Sequence, residues 1–182
     1  MKPRNKRPAF AVAFCALTAA LGAAAMLASG LIPVLTYCSP MAAGILLIPV
    51  LWEFGRKQAW MTWAVTAALS LLLCADKEAA FFYLFLGYYP ILRRSLDRVG
   101  PKVPRFLLKL GFFALALGLM YGILIFVLHL DAVLNDLGAV SMAVNLALYA
   151  ALVAVMLVFD RALEGMTRLY GSRLRPRLRI LR

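Results

Sequence analysis

Six apolar runs, most close to twenty residues long, constrain this chain more than any single motif does. At 1.5 Å of rise per helical residue, about twenty residues cross the roughly 30 Å hydrocarbon layer of a bilayer. No water there completes the hydrogen bonding of the backbone, so each run must satisfy its own amides and carbonyls, as a helix does. A membrane barrel would alternate apolar and polar residues in short segments instead. With 64% hydrophobic and 15% charged residues among 182, the chain also lacks the polar surface a soluble domain of this size needs. The predicted class is all-α, a single polytopic membrane domain over residues 1–182.

The runs cover Ala9–Gly30, Val34–Phe54, Gln58–Ala75, Ala79–Leu92, Phe106–Leu130 and Leu137–Phe159, followed by a basic tail over 161–182. The first exceeds the 7–15 apolar residues of a signal peptide and reads as a retained helix. Pro33, Pro40 and Pro49 predict an irregular entry and a bend in the second, because proline removes an amide donor. The fourth is short, with Asp76, Lys77 and Glu78 before it and Arg93 and Arg94 after it, charges that would sit at the interface. An N-in, C-in arrangement puts 19 of the 20 lysines and arginines on the cytoplasmic side and leaves only Lys77 outside. Six transmembrane helices in a bacterial cytoplasmic membrane, with both termini cytoplasmic, are therefore expected.

A net charge of +12 raises nucleic acid as a partner, but the basic residues form short clusters between apolar runs, without an interleaved aromatic pattern. Next to a membrane segment such charges set topology and meet anionic headgroups, so membrane lipids are the expected partners. The tail pattern Arg173, Arg175, Arg177 and Arg179 reads as such a flank. Catalysis is not expected. One histidine, His129, excludes a two-histidine metal motif, and the chain has no GxSxG elbow, P-loop or Gly-rich dinucleotide turn. No cofactor and no metal are predicted. Cys38 and Cys74 fall near the same face, where a disulfide is geometrically possible; small apolar helix residues are the alternative reading.

Spacing marks several helical stripes. Ala16, Ala20, Ala24 and Ala28 recur every four residues and share one face of the first helix, with Ala19, Gly22 and Ala23 beside them. Small side chains let another backbone approach closely in lipid, either inside this chain or on a partner. Gly111, Gly118 and Gly122 suggest internal packing on the fifth helix. Thr62, Thr66, Ser70 and Cys74 repeat the spacing on the third, where hydroxyls commonly bond back to the carbonyl four residues earlier. Ser141, Asn145 and Tyr149 do so on the sixth; Asn145 needs a partner in hydrocarbon, whether a helix or a ligand. At the inner boundary, Glu53 near Arg56 and Lys57 suggests a local ion pair.

The outer loops hold polar chemistry on one side: Thr36, Tyr37, Cys38 and Ser39; Asp76, Lys77 and Glu78 ahead of Phe81, Phe82 and Tyr83; and His129, Asp131, Asn135 and Asp136. Convergent polar groups with aromatic walls are the usual form of a small-molecule site. Each residue alone is an ordinary interfacial anchor.

The six-run plan, the stretch ALTAALGAAAMLA (Ala16 to Ala28) and the segments LIPVLTYCSP, LWEFGRK and CADKEAAFFYLFLGYYPILRR resemble the substrate-binding S component of energy-coupling factor (ECF) transporters. The resemblance implies a subunit that captures a vitamin-like small molecule outside and passes it to a transmembrane coupling subunit served by two cytoplasmic ATPases. It implies docking on that subunit through Ala16, Ala20 and Ala24, with Ala28 at the margin. No vitamin signature is present, so substrate-binding residues are nominated by position: Thr36, Tyr37, Asp76, Lys77, Glu78, Tyr83, Asn135, Asp136, Asn145 and Tyr149. A competing class is a membrane scaffold similar to cell-shape proteins of the MreD type, with conserved inner surfaces and no outer pocket. An autonomous carrier fits less well, for want of inverted repeats and of a mid-membrane charge.

Overall fold

The computed structural model describes residues 8–31, 35–97, 102–126 and 142–174, and every element among them is helical. In order these are α1 (Pro8–Leu27), a 3-10 turn (Ala28–Leu31), α2 (Leu35–Ile45), α3 (Leu47–Glu53), α4 (Arg56–Leu73), α5 (Lys77–Leu86), α6 (Tyr89–Leu96), α7 (Lys102–Phe126), α8 (Met142–Leu169) and a π turn (Tyr170–Leu174). Among the described residues four stretches are long and apolar enough to cross a membrane: Ala9–Gly30, Leu35–Glu53, Arg105–Ile123 and Val144–Ser172. Leu17, Leu21, Leu115, Leu119, Leu146 and Leu148 are exposed on three of them. A water-soluble helix would keep such a set inside; a lipid-facing one has no reason to.

Several expected boundaries shift, each for a local reason. The second run is two helices, broken at Leu46. Pro49 lies four residues beyond Ile45, so its ring clashes with the Ile45 carbonyl and it offers that carbonyl no amide. The fourth run is likewise α5 and α6, with the break at Gly87 and Tyr88. The third run is α4, whose 18 residues rise about 27 Å. Arg56, Lys57 and Gln58 in its first turn lower its apolar character. The last helix does not stop at Phe159 but continues to Leu169. An i,i+4 pair between Glu164 and Arg168 supports the added turns, and no proline falls between Phe159 and residue 176.

The chain divides into two compact units, Met1–Ser95 with Leu163–Arg182, and Leu96–Ala162. In the first, α1 lies against α4 and α2, and α2 against α5. Its core has two parts. Met26, Ala43, Ala67, Cys74, Ala79, Ala80 and Tyr83 form one; Leu47, Val50, Leu51, Ala59 and Ile91 form the other, walled by Phe54, Trp60, Trp63 and Tyr88. The helix ends meet at tight turns. Gly55, at φ +95°, joins α3 to α4 in a backbone conformation that side chains disfavour. In the second unit, α7 buries Phe113, Ala116, Leu117 and Met120, and α8 buries Val153, Met156 and Phe159.

Among the described residues, the glycine face of α7 meets little. A Cβ added at Gly111 or Gly122 would meet nothing within 4 Å, and one at Gly118 would meet only the Tyr149 hydroxyl at 3.7 Å. Gly87 is the opposite case: its Cβ would stand 2.5 Å from the Tyr83 carbonyl oxygen and 2.6 Å from the fully buried Tyr83 ring. Gly87→Ala is therefore expected to destabilise the protein by about 1–3 kcal/mol, as overpacking does. Gly111→Ala, open and mid-helix, should stabilise it by roughly 0.5–1 kcal/mol. Thermal unfolding of the two variants in one detergent checks both signs.

Candidate functional site

A polar ledge forms where α2 begins, α4 ends and α5 begins. Asp76 is the N-cap of α5: one carboxylate oxygen accepts the Ala79 amide at 3.1 Å and the other accepts the Thr36 hydroxyl at 2.8 Å. Glu78, in the first turn of α5 where the helix dipole favours an acid, accepts the Tyr37 hydroxyl at 2.9 Å. The Tyr37 ring meets Phe82 edge-on, with centroids 5.5 Å apart. Two hydroxyl–carboxylate bonds thus staple consecutive residues of α2 to the first turn of α5.

Lys77 is committed differently. Its ammonium donates to the carbonyls of Leu71 at 2.9 Å and Cys74 at 3.0 Å, at the C-terminal end of α4, where the dipole favours a cation. Thr36, Tyr37, Asp76, Lys77 and Glu78 are each half-buried, and Cys38 is exposed beside them. The ledge is rich in acceptors and edged by hydroxyls, so its chemistry suits a ligand that donates hydrogen bonds. Asp76→Ala removes both a cap and the acceptor of a half-buried hydroxyl. It should cost about 1–2 kcal/mol of stability, with Asp76→Asn recovering much of it, as read from unfolding midpoints.

The other nominated residues lie elsewhere. Tyr83 is wholly buried in the core beneath the ledge, its hydroxyl directed toward Thr66 but without a partner at hydrogen-bond geometry. Asn145 is half-buried on α8 in the second unit. Tyr149, one turn on, donates to the Ala114 carbonyl and ties α8 to α7. Asn135 and Asp136 lie outside the described residues, as do His129, Asp131 and Ser141. Cys38 and Cys74 are both free thiols, the first exposed and the second buried, so the possible disulfide is not formed. Among the described residues no three His, Cys, Asp or Glu side chains gather to hold a metal.

On α4, Thr62, Thr66 and Ser70 each donate to the carbonyl four residues earlier, at 2.9, 2.9 and 2.8 Å. That satisfies them inside the helix and leaves a smooth surface for α1. A Cβ on Gly22 would lie 3.0 Å from Thr66 Cγ2, so α1 approaches α4 about as closely as side chains permit. The inward face of α1 is Thr18, Ala19, Gly22, Ala23 and Met26, continued by Ser29 in the 3-10 turn, all buried. Ala16, Ala20 and Ala24 are exposed on the other side, and Ala28 is half-buried.

Sequence reasoning missed the ion pairs. In the second unit Lys109 is buried, its ammonium 3.1 and 2.9 Å from the two carboxylate oxygens of Asp160 and 2.9 Å from Asp97. In the first, the buried Arg93 reaches Glu164 at 3.4 Å, and Glu164 also pairs with Arg168. The available signal was an acid and a base at matching ends of the last two apolar runs. Arg56 and Lys57, the expected neighbours of Glu53, are both exposed. No family model, curated protein or solved structure matches this chain.

Proposed function

We propose that this chain is a membrane-embedded substrate-capture subunit, similar to the S component of an ECF importer, with six crossings and both termini in the cytoplasm of a bacterium. The observation that carries the reading is the two-sided packing of α1. Its Gly22 side is filled by this chain, while Ala16, Ala20 and Ala24 remain exposed at the spacing that admits another helix at close range. A transmembrane coupling subunit with two ATPases is the partner that supplies such a helix.

Counting α4 and the α5–α6 pair with the four apolar stretches makes six crossings in this reading, and the lysine and arginine distribution supports the orientation. The ledge then faces outward and receives a small molecule bearing hydroxyl or ammonium donors, of the size of a vitamin. The test is mass spectrometry of small molecules retained by the purified protein, followed by affinity measurement. Replacing Lys77 and Glu78 together by alanine should weaken that affinity; unchanged affinity would rule out the ledge as the pocket.

One observation favours the second reading, a membrane scaffold of the cell-shape type. Thr36, Tyr37, Asp76 and Glu78 are bonded to one another, as groups with a purely structural task would be.

A further inference from the structure

At the end of α4 opposite the ledge, three cations collect over an aromatic floor. Arg56 and Lys57 open α4 immediately after the Gly55 turn, and both are exposed. Arg94, also exposed, comes from α6, with its guanidinium carbon 5.5 Å from the ring centroid of Trp52 on α3. Contact with the ring orients Arg94 without neutralising it. Lys57 lies one turn before Trp60, which stacks on Tyr88 with centroids 5.5 Å apart, and Trp63 meets the same Tyr88 edge-on at 5.3 Å. The ends of α3, α4 and α6 are held together beneath by Leu51, Ala59 and Ile91. Glu53 is the acid of this region, so the patch keeps a net positive charge.

Folding of α4 does not ask for these charges, since cations in a first turn oppose the helix dipole. Membrane topology accounts for basic residues on this side, but not for one being held over a tryptophan beside a stacked aromatic pair. Tryptophan and tyrosine settle at headgroup depth, and arginine matches the oxygens of a phosphodiester. We propose that Arg56, Lys57 and Arg94 hold the phosphate of an anionic phospholipid, with Trp52 and Trp60 against its glycerol and upper acyl region. The inference rests on the membrane reading of the fold and is independent of transport.

The test uses the full chain purified in a mild detergent, with lipid retention followed by native mass spectrometry and thermal unfolding. Phosphatidylglycerol is compared with phosphatidylcholine of the same acyl chains and with inorganic phosphate. Phosphatidylglycerol alone should be retained and raise the unfolding temperature. R94Q should weaken its retention about fivefold, and R56Q/K57Q by about fivefold for each charge removed. R161Q, which removes an exposed charge on α8, should leave it unchanged. Equal retention of phosphatidylcholine, equal protection by inorganic phosphate, or an R161Q loss as large as that of R94Q would overturn the proposal. Should R94Q fail to fold by circular dichroism, R56Q/K57Q, at an exposed turn, carries the test.

Discussion

Lys109→Met is expected to cost the folded protein about 3–5 kcal/mol, the largest stability loss of any single substitution considered for this chain. The cause is what remains behind. Asp160 is buried and both its oxygens face the Lys109 ammonium, so removing that ammonium strands a carboxylate away from water. Asp97, whose side chain is 37% exposed, can turn to solvent and contributes less to the loss. Lys109→Met with Asp160→Leu should recover most of the stability, since a buried pair replaced by apolar groups of similar volume is often neutral. Unfolding midpoints of the single and double variants in one detergent decide it; a single variant within about 1 kcal/mol of the parent would mean that water reaches the pair.

The second large effect concerns association. Leucine at both Ala20 and Ala24 should abolish capture of the proposed coupling subunit while leaving the unfolding midpoint nearly unchanged, because neither side chain is buried in this chain. Gly22→Leu should do the reverse and damage the fold first, since even its Cβ would press on Thr66 at 3.0 Å. Gly22 lies two positions from each of these alanines on the same helix. Only the partition between inward and outward faces separates their outcomes.

Much of the fold could be read from periodicity and length. The apolar runs located nearly every helix, because hydrocarbon permits few alternatives to a helix of about twenty residues. The hydroxyl ladder of α4 was also legible, as Thr62, Thr66 and Ser70 satisfy themselves locally. The missed boundaries turn on neighbours about one helical turn away. The break at Leu46 needed Pro49 to be weighed against Ile45, and at the break at Gly87 a side chain would collide with Tyr83. Small residues at Gly111 and Gly122 looked like a packing face, yet among the described residues nothing covers them, and spacing does not reveal which side of a helix is covered.

The site was legible as a neighbourhood but not as a set of roles. Thr36, Tyr37, Asp76, Lys77 and Glu78 do come together, though as caps and staples of α2, α4 and α5. A run such as Asp-Lys-Glu reads as exposed charge until the helix ends it serves are known. The pairing of Lys109 with Asp160, 51 residues apart, depends on tertiary structure that no local pattern encodes.

Capture from native membranes tests the central claim most directly: the tagged chain is isolated beside its Ala20→Leu/Ala24→Leu variant, and the retained proteins are identified by mass spectrometry. The substrate-capture reading predicts a transmembrane coupling subunit with two ATPases on the parent and their loss from an equally stable variant. Recovery of cell-wall or division proteins without ATPases, unchanged by the substitutions, would contradict it.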